Sequence, residues 1–263
     1  MTTILATASV TLGDTELLPS QTQRQLRRAD DFIRLAVAAA HQVLSIASRP
    51  VVIPEQTALF LGSCFGPMQC NFEVIDNLAE SEVVSPLLFS HSVFNAAAGY
   101  VTRIFQIQGG SWTTTSFGSP LFSCLENACA CIRRGLYRQV LVLQVESFSE
   151  LLHDAKQQFL KKHDRTWPAG AVAFLLIQDK DCNCRVKLEK MICNCRAASF
   201  YNYLIRNELL EFNGHAKDLH DPLAAGRELC RIIDHRARGR QTLDFIAPWG
   251  HTSINLARTS RAS

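Results

Sequence analysis

Segments of strand period and segments of helix period alternate along this chain, with glycine turns between them, and that alternation implies an α/β protein. Met1 to Val10 reads as a first strand, and Asp30 to Ile46 carries Phe32, Leu35, Ala36, Ala39, Val43 and Ile46 at helical spacing. After breaks at Pro50 and Pro54, the apolar run Thr57 to Leu61 ends in Gly62-Ser63-Cys64-Phe65-Gly66. An amphipathic stretch from Gln69 to Leu78 follows, which makes strand, glycine turn and helix. Phe94 to Phe105 contains Ala96, Ala97, Ala98 and Gly99, so it reads as a helix that lets another backbone come close; Gly109-Gly110 ends it. Trp112 to Ser116 is a Thr-rich strand, Ser119 to Arg134 a helix and Gln139 to Val145 an apolar strand. Ala171 to Ile177 and Cys184 to Cys193, joined through Gln178 to Asp181, read as a hairpin. A helix from Ala224 to Arg236, a strand from Thr242 to Ile246 and the turn Pro248-Trp249-Gly250 complete the pattern. No low-complexity linker or short-period repeat interrupts it, so residues 1–263 are expected to form a single domain.

At 263 residues, 47% hydrophobic and 19% charged, the chain can bury a sizeable core, which excludes disordered and fibrous architectures. Twenty-seven Lys and Arg against 24 Asp and Glu leave a formal charge of +3, far from the balance of a dedicated nucleic-acid binder. The longest apolar run, Ala171 to Ile177, falls well short of the roughly 20 residues a membrane span requires. Met1 to Asp14 lacks the charged-then-apolar pattern of a signal peptide, so a soluble, cytoplasmic protein is expected. Its ten cysteines then read as reduced thiols, most of them core fillers. A zinc site at Cys182, Cys184, Cys193 and Cys195 is disfavoured. The spacer Arg185 to Ile192 reads as a strand, and at about 3.3 Å per residue its ends stand too far apart for one tetrahedral ion with bonds of about 2.3 Å.

Several segments, taken in order, resemble the β-ketoacyl synthase branch of the thiolase-like superfamily. Ala58 to Gly66 (ALFLGSCFG) is similar to the early strand and glycine turn of those enzymes, and Ser85 to Val101 (SPLLFSHSVFNAAAGYV) to their S-P-x-x-F…N-x-x-A-G segment. Gly109 to Ala128 matches the nucleophile motif G-P-S-x-T-x-x-T-A-C-S-S and its helix without a gap, and Gly135 to Glu146 resembles the strand that follows. Leu219 to Gly226 is similar to G-H-T-x-G-A-A-G, and Ala247 to Leu256 to the final glycine loop and strand. The resemblance implies a thiolase-like αβαβα five-layer fold with an abbreviated second half: residues 1–180 as the N-terminal half and 181–263 as a shortened C-terminal one, most of the loss lying between Asn202 and Leu219.

A ketosynthase holds its growing chain as a thioester on a cysteine at the N-terminus of a buried helix, where the dipole and backbone donors favour the thiolate. In the gapless match that position is Gly118, flanked by Phe117 and Ser119, and glycine offers nothing to acylate. Cys124 lies six residues further along the helix, roughly 9 Å by axial rise, and on a different face. Of the family's two histidines and lysine, only His220 has a counterpart, with Leu219 and Asp221 in place of the flanking glycine and threonine. His220 reads either as a residual catalytic group or as a structural histidine, the latter being favoured by the loss of its partners. No G-x-S-x-G elbow accompanies His163-Asp164-Arg165 or His251-Thr252-Ser253, which argues against a serine hydrolase.

Loss of the nucleophile in this setting resembles the chain-length factors of type II polyketide systems, and the short form looks most like the ketosynthase-like proteins of bacterial aryl polyene clusters. That resemblance implies a heterodimer with an active β-ketoacyl-ACP synthase, an acyl carrier protein as further partner, and no cofactor beyond the phosphopantetheine the carrier brings. It places Gly110 to Ser116 at the dimer interface, with Trp112, Thr113, Thr114, Thr115, Ser116 and Phe117 as interface or tunnel residues. Phe94, Ala98, Val101 and Phe105, at i, i+4, i+7 and i+11, either set the tunnel floor or form the core stripe of any amphipathic helix. Arg227 and Arg231, within a larger arginine cluster, either dock the acidic carrier or line a solvated face. Two other readings are a stand-alone malonyl-ACP decarboxylase, using His220 and backbone donors at Gly118 and Gly250, and a scaffold that binds an acyl carrier without shaping the product.

Overall fold

The computed structural model describes residues 2–47, 52–80, 83–118, 120–147, 149–150, 152–154, 169–178, 186–195, 210–212, 215–217, 221–235, 239–247 and 250–258. The strands are β1 (Thr2–Thr11), β2 (Thr57–Ser63), β3 (Ser111–Thr115), β4 (Gln139–Glu146), β5 (Gly170–Gln178), β6 (Val186–Cys195), β7 (Leu210–Phe212), β8 (His215–Lys217), β9 (Gly239–Ala247) and β10 (Gly250–Arg258). The α-helices are α1 (Ser20–Gln25), α2 (Asp31–Ile46), α3 (Met68–Ala79), α4 (Pro86–Ser92), α5 (Ala96–Ile104), α6 (Pro120–Arg133) and α7 (Ala224–Asp234). Local chemistry sets their starts. Asp30 caps α2 by accepting from the Ile33 amide at 3.0 Å, and proline opens α4, where a missing amide hydrogen costs nothing.

All ten strands form one mixed sheet in the order β3-β2-β4-β5-β1-β6-β10-β9-β7-β8. The order is palindromic. The first five strands run third, second, fourth, fifth, first, and the last five mirror them as first, fifth, fourth, second, third. The helices follow suit, α6 leading from β3 to β4 and α7 from β8 to β9. In the first set, β2 runs parallel to both β3 and β4. A parallel pair needs a long crossover, which α3, α4 and α5 supply between β2 and β3. In the second set, β7 and β8 are antiparallel and separated by two residues, so no crossover is required and the chain is shorter there.

Two sequence expectations are corrected. The segments at Ala171–Ile177 and Cys184–Cys193 are strands but not a hairpin: both edges of β5 are taken, by β4 and β1, and β6 pairs with the far side of β1. β1 is buried along nearly its whole length, which draws it into the middle of the sheet. The helix expected from Phe94 begins at Ala96 and stops at Ile104. Val93 is extended (φ −80°, ψ 139°), so α4 and α5 are separate helices and Phe94 sits in the turn between them.

Apolar residues fill both faces of β1, β2, β4 and β5. On one face, α2 and α5 bury Phe32, Leu35, Val37 and Val101 against Leu59, Leu141, Ala173 and Leu175. On the other, α6 and α7 bury Leu125, Ile132 and Leu229 against Phe60, Val142, Phe174 and Leu176. That second core continues under β6, β10 and β9, where Phe245 of β9 packs on Phe122 of α6 with ring centroids 4.7 Å apart. The opposite face of β6, β10 and β9 carries exposed Lys190, Ile192, Thr242, Ile246 and His251. Among the described residues no helix covers these side chains, so the fifth layer of the expected arrangement is not formed by them; a sheet with one wet face alternates in this way.

Candidate functional site at the carboxyl ends of the first strands

Because β2, β3 and β4 are parallel neighbours, their carboxyl ends lie together, and the N-terminus of α6 meets them there. A side chain on Gly62 would stand 3.0 Å from the backbone of Pro120, so glycine permits α6 to start this close to β2. β3 leads through Ser116, Phe117 and Gly118 into that helix. The Ser116 amide donates to the Ser63 carbonyl at 3.1 Å, and the Gly118 amide donates to Ser116 Oγ at 3.1 Å. Gly118 is half-buried. Beside it, Phe117 tilts against Phe65 at 5.7 Å, and both pack with Cys64, Met68 and Leu152.

At the centre of this end lies a carboxyl group that sequence reasoning did not single out. Glu146 closes β4, fully buried, and its Oε1 accepts from the Cys64 amide at 2.6 Å and from Gln144 Nε2 at 3.3 Å. Its Oε2 accepts from Ser63 Oγ at 3.1 Å and from the Phe65 amide at 3.3 Å. Gln144 Nε2 also donates to the Pro222 carbonyl at 2.8 Å, tying this end to the segment leading into α7. Burial pushes the Glu146 carboxyl up from 4.5 to about 7, although its hydrogen bonds pull the other way. The available signal in the sequence was a charged residue closing an otherwise uncharged, mostly apolar strand.

The thiols at this end are unsuited to attack. Burial, followed by the neighbouring Glu146 carboxylate, holds the Cys64 thiol well above its ordinary range. Cys124, on α6, is pushed up to about 12 by burial, against a hydrogen bond with Thr114. Brief treatment of the folded chain with iodoacetamide at neutral pH is therefore expected to leave Cys64 and Cys124 unmodified while half-buried Cys131 reacts. Peptide mass mapping reads the result, and rapid alkylation of Cys64 or Cys124 would contradict an unreactive thiol set.

The other residues picked from the sequence are distributed as follows. Trp112 lies exposed on β3, stacked on Phe60 at 4.6 Å, and Thr113, Thr114 and Thr115 share that strand, which is the terminal one of the sheet. Phe94 is 45% exposed, whereas Ala98 and Val101 are buried in the core beside α2 and Phe105 packs against it just past the end of α5. The four therefore do not form one stripe. Arg227 pairs with Asp221 at 2.8 Å and Arg231 with Glu228 at 2.6 Å. His251 and Ser253 both hydrogen-bond Asp244 on the exposed face, which lowers the Asp244 carboxyl and is not the order of a hydrolase triad. Cys193 and Cys195 lie on β6; His220, His163, Cys182 and Cys184 fall outside the described residues. Among the described residues, no cluster of three His, Cys, Asp or Glu side chains is placed to hold a metal ion, and no helix is long and apolar enough to cross a membrane.

The family model described as Beta-ketoacyl synthase, N-terminal domain, matches residues 7–200. No curated protein matches the chain. Among solved structures, a ketosynthase (ApeO) in complex with its chain length factor (ApeC) from Xenorhabdus doucetiae is similar at 21% identity and a TM-score of 0.53, covering 92% of this chain and 82% of that one. The ishigamide ketosynthase/chain length factor is similar at 13% identity and 0.65, covering 98% and 99%. The AntDE:AntF complex, a type II PKS acyl-carrier protein with its ketosynthase bound to the hexaketide, is similar at 13% and 0.69, with the same coverage. At these identities the likeness speaks for a shared fold.

Proposed function

The chain belongs to the β-ketoacyl synthase family, and from that premise we propose that it is a non-catalytic, chain-length-factor-like subunit that pairs with an active β-ketoacyl-ACP synthase and shapes the acyl tunnel during carrier-bound polyene synthesis of the aryl polyene type. The observation that carries this reading is Gly118: in the sequence match to the family motif the nucleophile position falls on this glycine, which lies in the segment leading from β3 into α6 and offers no side chain to acylate. Its amide, the donor a decarboxylase would need for an oxyanion, is engaged by Ser116 Oγ, which speaks against a stand-alone enzyme. Similarity in fold to chains from ketosynthase and chain-length-factor complexes supports the same assignment.

In this reading β3 pairs with the corresponding strand of the ketosynthase, since it is the terminal strand of the sheet among the described residues and Trp112 stands exposed on it. Phe94, half-exposed in the turn before α5, faces the growing chain, while Ala98 and Val101 fix the depth at which that segment packs. Arg231, the more exposed of the two arginines on α7, is the contact offered to an acidic carrier protein. Residues 1–180 and 181–263 are the two halves of one domain, the second reduced by the β7–β8 hairpin.

Co-expression with an active ketosynthase encoded alongside, followed by native mass measurement, tests the proposal. A one-to-one heterodimer whose elongation activity disappears when the partner's cysteine is replaced is the expected outcome. A homodimer that consumes malonyl-carrier protein unaided would overturn it.

A further inference from the structure

The proposed tunnel residue Phe94 is held in place by a route that ends in a buried carboxyl group, that of Glu146. Gly66 adopts the left-handed conformation (φ +67°), and a side chain added there would come within 2.4 Å of two carbons of the Phe94 ring, so the ring lies directly on the glycine. The Gly66 amide donates to Ser63 Oγ at 2.7 Å, and Ser63 Oγ donates to Glu146 Oε2 at 3.1 Å. The carboxyl also receives the amides of Cys64 and Phe65, so three consecutive residues of the β2–α3 turn, Ser63 to Phe65, are bonded to it directly and the fourth, Gly66, through Ser63. These bonds set the plane on which Phe94 rests. α4 and α5 are separate helices at this point, and the turn bearing Phe94 is closed by one backbone bond, from the Ala96 amide to the Val93 carbonyl at 3.0 Å, which leaves the position of the ring to its seat on Gly66.

We propose that Glu146, acting through Ser63 and the turn to Gly66, is a positioning residue that seats Phe94 and thereby governs the length of the product without touching it. The proposal rests on the reading that Phe94 borders the acyl tunnel. It extends length control from the tunnel wall to a buried relay that enters at the carboxyl end of β4. Two features favour a dedicated support over general packing: the carboxyl is fully buried yet spends both oxygens on this one turn and Gln144, and the turn contains a glycine whose bare face is the seat of the ring.

The test uses the co-expressed heterodimer and four variants: Phe94→Ala, Gly66→Ala, Ser63→Ala and Glu146→Gln. Product-length distributions are read by mass spectrometry, heterodimer yield by native mass, and backbone exchange over residues 63–66 by hydrogen–deuterium exchange. The expected result is that Ser63→Ala and Glu146→Gln raise exchange over residues 63–66 by tenfold or more and shift the distribution in the direction seen for Phe94→Ala, at undiminished heterodimer yield. Gly66→Ala, which displaces the ring directly, should give the same shift, and Ser63→Thr, which keeps the hydroxyl, should restore the original distribution. A shift from Phe94→Ala with none from Ser63→Ala or Glu146→Gln overturns the relay and leaves the tunnel reading standing. No shift from Phe94→Ala overturns the tunnel reading, and the length-control role of Glu146 falls with it even if exchange rises.

Discussion

Replacing Thr113 with proline is expected to weaken the proposed heterodimer about a hundredfold while leaving the lone chain folded. In β3 the Gly110 carbonyl accepts from Leu59, and the Ser116 amide donates to Ser63. Backbone groups alternate sides along a strand, so even-numbered residues of β3 turn toward β2, whereas Thr113 and Thr115 turn toward the outer edge. Proline at 113 removes a donor that β2 does not use, a substitution edge strands tolerate. Against a partner strand it deletes one ladder bond and inserts a ring where the other backbone must come close, a loss of about 3 kcal/mol or a factor of about 100 in affinity. Thr114→Pro, which breaks a bond to β2, should instead lower the stability of the chain itself. Co-purification and native mass of each variant with the ketosynthase give the answer; a Thr113→Pro chain that still pairs fully would remove β3 from the interface.

The second large effect concerns pH. Glu146 has its carboxyl raised in the folded chain from 4.5 to about 7, so the folded state holds this proton more tightly than the unfolded state. Below about pH 4.5 both states are protonated and the group contributes its full share of stability. As pH rises toward 7 the unfolded chain releases the proton first, and the contribution falls away, reaching a loss of about 3 kcal/mol once the folded carboxyl has also ionised. Glu146→Gln keeps an acceptor but cannot ionise. Urea unfolding at intervals from pH 5 to pH 8 is expected to show the unsubstituted chain losing stability relative to Glu146→Gln across that window, whatever constant offset the amide brings. Parallel stability curves for the two chains would refute a buried carboxyl that titrates near neutrality.

Most elements were legible in the sequence because the signals that define them are local. The spacing of Phe32, Leu35, Ala36, Ala39 and Val43 marks a helix wherever it packs, and Gln139 to Val145 is a strand by composition alone. Phe94 was misassigned to a helix for the same reason. Its spacing from Ala98 and Val101 fits a helical template, and only its seat on Gly66 and the extended Val93 place it in a turn. The mirrored strand order was invisible because the two sets of strands share topology without a short sequence period.

What the sequence by itself determined is the class of the protein and that position 118 is a glycine, which has no side chain in any fold. Only the tertiary structure decided which strands are neighbours, with β1 separating two segments that adjacency in sequence would have paired. It also decided that Glu146 meets Ser63, Cys64 and Phe65 across more than eighty positions of chain. Periodicity records which side of an element is apolar. It does not record what lies across the sheet, because that is settled by burial summed over the whole molecule.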